Sequence, residues 1–133
     1  MKPRINIITL AVEDIEKSLV FYRDGLGLPT DGIIEDYEDH VLFELQNGLS
    51  LVLYLKYEVA KITGSSSISA GSVILSHVVE NKSEVDQILA NVQAAGGTII
   101  SPPKEEAWGY YGYFKDPDGH AWEVLYNPML SRQ

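Results

Sequence analysis

The chain contains the same order of secondary-structure signals twice, and this repeat is the feature that most limits its fold. Each half predicts a strand, a helix and then three further strands, with similar helix caps and turns. When the halves are aligned at their helix caps, Ile7 corresponds to Ile74. When they are aligned at the turns before their last strands, Val52 corresponds to Glu123. Self-similarity in a fixed order indicates a repeated structural unit even when few residues are identical. The sequence therefore predicts an α+β fold of two βαβββ modules.

The first module begins with an apolar, β-branched run over residues 5–12, which predicts a strand. Asp14 follows at the position of a helix cap, and we predict a helix near residues 14–25. Its apolar face has helical spacing and consists of Ile15, Leu19, Tyr22 and Leu26. Gly25 and Gly27 are expected to end this helix. Strands are then predicted around residues 32–35, 40–45 and 49–57, with Asn47 and Gly48 in the tight turn that joins the last two.

The second module repeats this order from an apolar strand predicted over residues 72–79. Asn81 is the expected cap of a helix near residues 82–95, and Glu84 completes a capping box with it. The apolar face of this helix consists of Val85, Ile88, Leu89 and Val92. Three strands are predicted at residues 98–101, 110–115 and 121–126, with an Asp-Pro-Asp-Gly turn at residues 116–119.

A length of 133 residues fits one domain of ordinary size, so we expect a single domain over residues 1–133. The stretch at residues 63–71 is rich in serine and glycine, which is typical of a flexible linker. Module one is therefore placed at about residues 4–62 and module two at about residues 72–128.

Composition excludes several classes of function. The chain has no cysteine, which removes disulfides, thiolate metal sites and cysteine nucleophiles. Its formal net charge of −9 disfavours nucleic-acid binding, because such a surface repels phosphates. This charge is interpreted either as a solubility feature or as a preference for cationic ligands. No apolar run reaches the ~20 residues needed to span a bilayer. Because the N-terminus has no signal-peptide pattern, we expect no membrane partner and a cytoplasmic location.

Two segments match the pattern of a known family. The first is the run over residues 12–22, followed by Gly25-Leu26-Gly27. The second is the aromatic stretch over residues 108–124, which contains the Asp-Pro-Asp-Gly turn. Together, in this order, they resemble the vicinal-oxygen-chelate superfamily of glyoxalases, bleomycin-resistance proteins and dioxygenases. The resemblance implies two βαβββ units that form an incomplete barrel around a cavity, usually as a homodimer.

The resemblance also implies four symmetric positions for metal ligands, which family enzymes fill with His, Gln or Glu. In this sequence these positions are occupied by Ile7, Val52, Ile74 and Glu123. Three of the four side chains are hydrocarbons and cannot coordinate an ion, whereas a catalytic metal site needs about three protein ligands. The sequence therefore predicts no metal and no other cofactor.

The three histidines do not suggest a different metal site. His77 alternates with Ile74 along its strand, so it is expected to point to the other face of the sheet. His40 follows a run of acidic residues that is typical of a solvated loop. His120 follows the Asp-Pro-Asp-Gly turn and is expected to pack or form hydrogen bonds there.

Glu123 is the candidate catalytic residue. The resemblance places it in the cavity, where a carboxylate can act as a general base or pair with a cationic group. A structural role, with tyrosine or backbone donors, remains open. Aromatic side chains can hold an amphipathic small molecule and can equally form an ordinary core. The candidate ligand-binding residues are Tyr54, Trp108, Tyr110, Tyr111 and Tyr113.

These observations favour a metal-independent protein that binds a small organic molecule, which is cationic or amphipathic. The alternative is a glyoxalase-family lyase or isomerase that uses Glu123 as a general base. A metal-dependent glyoxalase or dioxygenase is a weaker alternative, and a purely structural dimer also remains open. The sequence does not name the ligand, because one fold supports many chemistries.

Overall fold

The computed structural model describes residues 1–130 of the chain, which form two compact units. The first unit spans Met1–Ser69 and contains a three-stranded sheet with the strand order β1-β3-β2, in which β1 and β3 are parallel and β2 is antiparallel to β3. Its elements are β1 (Ile7–Val12), α1 (Ile15–Leu19), β2 (His40–Glu44), β3 (Ser50–Leu55) and α2 (Lys56–Thr63).

The second unit begins at Ala70 and contains a four-stranded sheet with the order β4-β7-β6-β5. The pair β4 and β7 is parallel, and the other pairs are antiparallel. Its elements are β4 (Ile74–Val79), α3 (Lys82–Ala94), β5 (Thr98–Glu106), β6 (Gly109–Lys115) and β7 (Ala121–Tyr126). The predicted mixed α+β fold is therefore confirmed, with two separate sheets of three and four strands.

The two sheets repeat each other in register as well as in order. In the first unit Ile7 pairs with Ser50, and in the second unit Ile74 pairs with Ala121. Ile7 and Ile74 are equivalent when the two halves are aligned at their helix caps, and Ser50 and Ala121 are equivalent when they are aligned at their turns. Because a shift of one residue would turn every side chain to the other face, equal registers give corresponding residues the same orientation within their own sheets.

The strand predicted at residues 32–35 is wrong, and the first unit lacks one of the three returning strands. Ile34 makes only an isolated bridge to Tyr37. Gly32 and Asp36 have φ angles of 80° and 70°, which lie in the left-handed region and interrupt an extended chain. A second bridge, from Thr30 to Phe43, holds this segment against β2. The second unit forms all three returning strands.

The end of the third strand also differs from the prediction. We expected strand structure as far as residue 57, but β3 ends at Leu55 and α2 follows directly. The sequence Lys-Tyr-Glu-Val-Ala-Lys, which begins at Lys56, lacks period-two alternation and includes several good helix formers. The helix ends at Gly64, whose φ of 72° is the left-handed conformation usual at a helix end. Residues before the expected linker are thus helical.

The helix predicted at residues 14–25 is present but changes its hydrogen bonding part of the way along. Asp14 caps α1 by accepting a hydrogen bond from the backbone N–H of Lys17 at 3.2 Å. After Leu19 the chain continues as a π-helical turn over Val20–Gly25. Its wider spacing accompanies the complete burial of the adjacent rings of Phe21 and Tyr22. These rings anchor the helix in the core of the first unit.

The helix α3 begins and ends close to the prediction and covers one face of the second sheet. Asn81 Oδ1 accepts a hydrogen bond from the backbone N–H of Glu84 at 3.0 Å, as a capping box requires. The Glu84 carboxylate reaches back to the N–H of Glu80, one residue before the cap. With 13 residues, α3 is the longest helix described, and no helix within residues 1–130 is long and apolar enough to cross a membrane.

Candidate functional site

The open face of the second sheet, which is the face opposite α3, holds Glu123 between two hydroxyl groups. Strand register places Glu123 of β7 directly between Ser76 of β4 and Tyr113 of β6. Ser76 Oγ donates to Oε1 of the carboxylate at 2.8 Å, and the Tyr113 phenol donates to Oε2 at 2.9 Å. Each carboxylate oxygen therefore has one hydrogen-bond donor, and the side chain is fixed in position.

An aromatic row continues from Tyr113 along the same face. Tyr111 lies two residues before Tyr113 on β6, and the two rings meet edge to face with centroids 5.7 Å apart. Trp108 stacks on Tyr111 with centroids 5.0 Å apart and only 10° between the ring planes. The Trp108 side chain is about half exposed. Carboxylate and rings thus form a continuous surface on one face of one sheet, which we call the Glu123 surface.

The hydrogen bond to Glu123 also changes the acidity of Tyr113. It raises the pKa of the phenol above its ordinary value, and partial burial adds to the effect. The phenol gives up its proton less readily because an ionised oxygen would lose this hydrogen bond and face a carboxylate. Tyr113 is therefore a neutral hydrogen-bond donor at physiological pH.

Tyr110 does not belong to the Glu123 surface. It alternates with Tyr111 along β6 and lies on the face that α3 covers. Its phenol donates to Asp86 Oδ1 of α3 at 2.7 Å, and this hydrogen bond is the largest cause that raises the pKa of Tyr110. Trp122 lies on the same covered face, where it stacks on Phe114 at 6.0 Å.

Tyr54 lies in the first unit, within a group of side chains that the sequence interpretation did not identify. It pairs with His40 across β3 and β2, and the two rings are stacked at 5.2 Å. Partial burial is the largest cause that raises the pKa of Tyr54, and the charges of Asp39 and Glu58 add to it. The predicted turn at Asn47 and Gly48 joins these two strands, but the sequence interpretation did not extend the pairing from the turn as far as His40 and Tyr54.

The four symmetric positions do not provide a ligand set for a divalent metal. Ile7, Val52 and Ile74 have hydrocarbon side chains, and only Glu123 offers oxygen atoms. Within residues 1–130, no group of three or more His, Asp or Glu side chains is arranged to hold a metal ion. The residues present therefore do not fit the metal that the family implies.

The other two histidines lie as the sequence indicates. His77 pairs with Val124 on the face of the second sheet opposite to Ile74, and its side chain is exposed. His120 follows the Asp-Pro-Asp-Gly turn, and its backbone N–H donates to Oδ1 of Asp116 at 2.9 Å. Asp116 itself is buried and also accepts from the N–H of Asp118.

The first unit contains a cavity of about 490 Å³ that the sequence did not predict. It lies where the end of β3 and the start of α2 meet the segment that follows α2. None of the candidate site residues lines it. Its lining residues are Glu13, Leu55, Lys56, Tyr57, Ala60, Ser66, Ser67 and Ile68. The cavity depends on α2, a helix that the sequence interpretation did not predict.

The fold agrees with a comparison against known families. Residues 4–124 match the Glyoxalase/Bleomycin resistance protein/Dioxygenase superfamily. This match spans most of the 133 residues. The chain therefore belongs to the Glyoxalase/Bleomycin resistance protein/Dioxygenase superfamily.

Three individual proteins illustrate the range of similarity. The uncharacterized protein YraH of Bacillus subtilis is 30% identical over 122 residues, which cover 88% of this chain and 93% of YraH. A glyoxalase-related enzyme from Fulvimarina pelagi is 30% identical with a TM-score of 0.85, over 95% of this chain and 89% of that one. A lactoylglutathione lyase from Agrobacterium tumefaciens has a TM-score of 0.69 at 20% identity, over 96% of both chains. The last likeness is one of fold alone.

Proposed function

We propose that the chain is a metal-independent small-molecule-binding protein of the glyoxalase and bleomycin-resistance type, which sequesters a cationic or amphipathic ligand. The main supporting observation is the Glu123 carboxylate, held in place beside the stacked rings of Tyr111 and Trp108. Aromatic faces accept an apolar or cationic ligand body, and a carboxylate accepts hydrogen bonds from an ammonium or N–H group. The net charge of −9 further favours a cation over an anion.

Metal independence is proposed because of the side chains at the symmetric positions. Ile7, Val52 and Ile74 cannot replace the His, Gln or Glu ligands of family enzymes. Elemental analysis of the dialysed protein tests this proposal, and we expect less than stoichiometric zinc, nickel, manganese or iron. Stoichiometric metal, together with an activity that is lost on chelation, would contradict it.

The role of Glu123 can be tested once a thermal-shift screen has found a ligand, because binding to the native state raises its stability. We then expect Glu123→Gln to weaken binding by about 1.5–3 kcal/mol, the typical value of a hydrogen bond to a charged group. The amide keeps the volume of the side chain, and its oxygen and NH₂ group can both bond the rotatable hydroxyls of Ser76 and Tyr113. The variant should therefore fold.

Glu16→Gln is the matched control for this experiment, because it removes the same charge from an exposed position on α1 of the first unit. Calorimetric titration of the ligand against wild type and both variants gives the comparison. Equal affinities for wild type and Glu123→Gln would remove Glu123 from the binding site. A loss of melting temperature with no selective loss of binding would instead assign Glu123 a structural role.

A second candidate function is a lyase or isomerase in which Glu123 acts as a general base. The hydrogen bond between Tyr113 and Glu123 favours this alternative, because it places a neutral proton donor 2.9 Å from a proton acceptor. In such a reaction the Glu123 carboxylate would take a proton from the substrate. Turnover of a bound compound that is lost in Glu123→Gln, with binding retained, would support the enzyme over the binding protein.

We also propose that the chain is a homodimer, as the family resemblance implies, and that it is located in the cytoplasm. Apolar side chains on the open faces of the sheets support association with a partner, since Ile7 and Ile74 are 56% and 57% exposed. Sedimentation equilibrium measures this directly, and a monomer at micromolar concentration would contradict the proposal.

A further inference from the structure

The first sheet holds a separate group of polar and aromatic side chains. His40 begins β2 and pairs in register with Tyr54 of β3, so both side chains lie on the same face. Their rings are nearly parallel, with 18° between the planes and 5.2 Å between the centroids. Oδ1 of Asp39 contacts Nδ1 of His40 at 2.8 Å. The imidazole is thus held by a carboxylate at one nitrogen and by an aromatic ring at its face.

The contact with Asp39 determines which nitrogen of His40 can accept a proton. An ionised carboxylate only accepts hydrogen bonds, so Nδ1 of the neutral ring must donate. Nε2 is then the nitrogen with the free lone pair. Within residues 1–130 the His40 ring makes no other hydrogen bond. A carboxylate that orients an imidazole in this way prepares Nε2 as a hydrogen-bond acceptor or a base.

This group belongs to the first unit only. Tyr54 lies two residues after Val52 on β3, so its side chain is on the same open face as that symmetric position. The alignment that pairs Val52 with Glu123 also places Tyr111 on His40 and Leu125 on Tyr54. The second unit therefore has no imidazole at the corresponding position.

The surroundings of His40 limit the chemistry of a ligand. The ring of Tyr37, which is 62% exposed, lies edge-on to His40 at 6.4 Å and extends the aromatic surface. The carboxylates of Asp39 and Glu58 act on Tyr54, and three more acidic residues lie within the five positions before His40. Such a site repels anions and accepts flat molecules that are cationic or neutral.

We propose that Asp39, His40 and Tyr54 form a binding site for a small aromatic amine, whose N–H or O–H group donates a hydrogen bond to Nε2 of His40 while its ring lies against the aromatic group. The site consists of residues of the first unit, whereas the Glu123 surface consists of residues of the second. The proposal is tested by NMR signals of His40 itself, so either proposal can fail without the other.

The first test is the tautomer of His40, measured by ¹⁵N NMR of the histidine rings above the pH at which they are protonated. We expect the proton on Nδ1 of His40. His77 is an internal reference because its side chain is exposed, and an imidazole free in water favours the proton on Nε2. Asp39→Ala should move the proton of His40 to Nε2. A wild-type protein with this proton already on Nε2 would overturn the proposal.

The second test is a titration with tyramine, which joins a phenol to a primary ammonium group. We expect a saturable shift of the His40 ring signals, with no comparable shift at His77. The matched compound 4-hydroxyphenylacetate has the same ring with the opposite charge and should bind at least about tenfold more weakly, since the acidic side chains repel it. Equal shifts from both compounds, or no saturable shift, would overturn the proposal.

Variants separate binding at this site from binding elsewhere. His40→Phe keeps a flat ring without the acceptor, and Asp39→Ala removes the group that orients it. Each should weaken tyramine binding by about tenfold, the size of one hydrogen bond, in calorimetric titration. Asp39 precedes β2 and is partly exposed, so its variant provides the test if His40→Phe fails to fold. His77→Phe is the control. Unchanged affinity in both test variants would refute the site.

Discussion

At the residue scale, the hydrogen bonds of Glu123 fix its orientation without using all of its acceptor capacity. A carboxylate has about four lone-pair sites, and Ser76 and Tyr113 use two of them. A ligand donor can therefore be added without displacing either hydroxyl. The structural and functional interpretations of Glu123 are thus compatible, and only a binding measurement separates their contributions.

Gly109, at the start of β6, occupies a position where there is no room for a Cβ atom. A Cβ atom at this position would lie 2.3 Å from the carbonyl oxygen of Tyr126 on β7, which is far inside van der Waals contact. Because that atom belongs to the backbone of a paired strand, relief requires the strands to move apart. We expect Gly109→Ala to lower the free energy of unfolding by about 2–4 kcal/mol in urea denaturation, at the upper end of single-residue effects.

Gly112 is the matched control for this prediction, because it lies on the same strand. Its added Cβ would meet Cδ1 of Leu89 at 2.6 Å, and this atom is the end of a side chain that can change rotamer. Gly112→Ala should therefore cost less than Gly109→Ala. Equal losses for the two variants would contradict this explanation, since they would make the nature of the neighbouring atom irrelevant.

The sequence named Glu123 and Tyr113 as candidates without predicting the hydrogen bond between them, and it did not name Ser76. The internal repeat predicted that Glu123 and Val52 occupy equivalent positions in the two units, and the strand registers confirm this correspondence. Alternation along β6 already separated Tyr110 from Tyr111, although both were chosen as ligand-binding residues. Ser76 lies on β4, which pairs in parallel with β7 without a connecting turn, so no local pattern specifies its register against Glu123. The pairs Tyr113–Glu123 and His40–Tyr54 lie in hairpins whose turns were predicted, but the pairing was not extended from those turns along the strands.

At the element scale, the helix caps were the most dependable local signals. Asp14 and Asn81 lie in extended backbone, and each accepts a hydrogen bond from the N–H group three residues later. These contacts are short-range, so the sequence can specify them without any knowledge of the tertiary fold. The predicted Asn-Gly turn is confirmed in the same way, since Asn47 and Gly48 have the positive φ angles of 62° and 78° that such a turn requires.

The contribution of the second cap can be measured with one substitution. We expect Asn81→Ala to destabilise the protein by about 1 kcal/mol, because the N–H of Glu84 loses its acceptor. Asn91→Ala is the control, since Asn91 is an exposed residue inside the same helix, and alanine has the higher helix propensity there. Chemical denaturation should show a loss for the first variant and none for the second. Equal effects would argue against capping as the cause.

Three segments differ from the prediction because their structure does not follow from local periodicity. The segment at residues 32–35 is rich in isoleucine, but positive φ angles at Gly32 and Asp36 prevent a ladder. The helix α2 follows β3 without a separating turn, so no helix start signal marked it. The π-helical turn buries the consecutive residues Phe21 and Tyr22 together. A hydrophobic pattern with the α-helical period of 3.6 residues does not predict that two consecutive side chains are both buried.

At the scale of the whole molecule, the two units share a backbone plan and differ in the residues on their open faces. The same alignment of the two units relates Val52 to Glu123 and His40 to Tyr111. One unit thus has an imidazole where the other has a phenol, and a hydrocarbon where the other has a carboxylate. The shared plan identifies the family, whereas the functional proposals depend on these differences, because a fold alone does not determine chemistry.

Three tyrosines, which lie in both units, have raised phenol pKa values and therefore make the stability of the protein depend on pH in the alkaline range. The pKa of Tyr110 and of Tyr113 is raised mainly by hydrogen bonds to carboxylates, and that of Tyr54 mainly by partial burial. In the unfolded chain these phenols titrate near their ordinary pKa of about 10. The folded state therefore holds their protons more tightly than the unfolded state does. By linkage, this stabilisation is complete below about pH 10 and is lost as the pH rises through the folded-state pKa values.

We therefore expect these phenols to cause no loss of melting temperature below about pH 9 and a progressive loss above about pH 10, where unfolding releases the tyrosine protons. The double variant Tyr110→Phe, Tyr113→Phe should be less stable than wild type near pH 8, because it lacks two hydrogen bonds, and its decline at high pH should be shallower. The difference between the two proteins should then shrink above pH 10. Parallel curves for wild type and the double variant, measured by circular dichroism, would show that the alkaline loss comes from groups other than these two phenols.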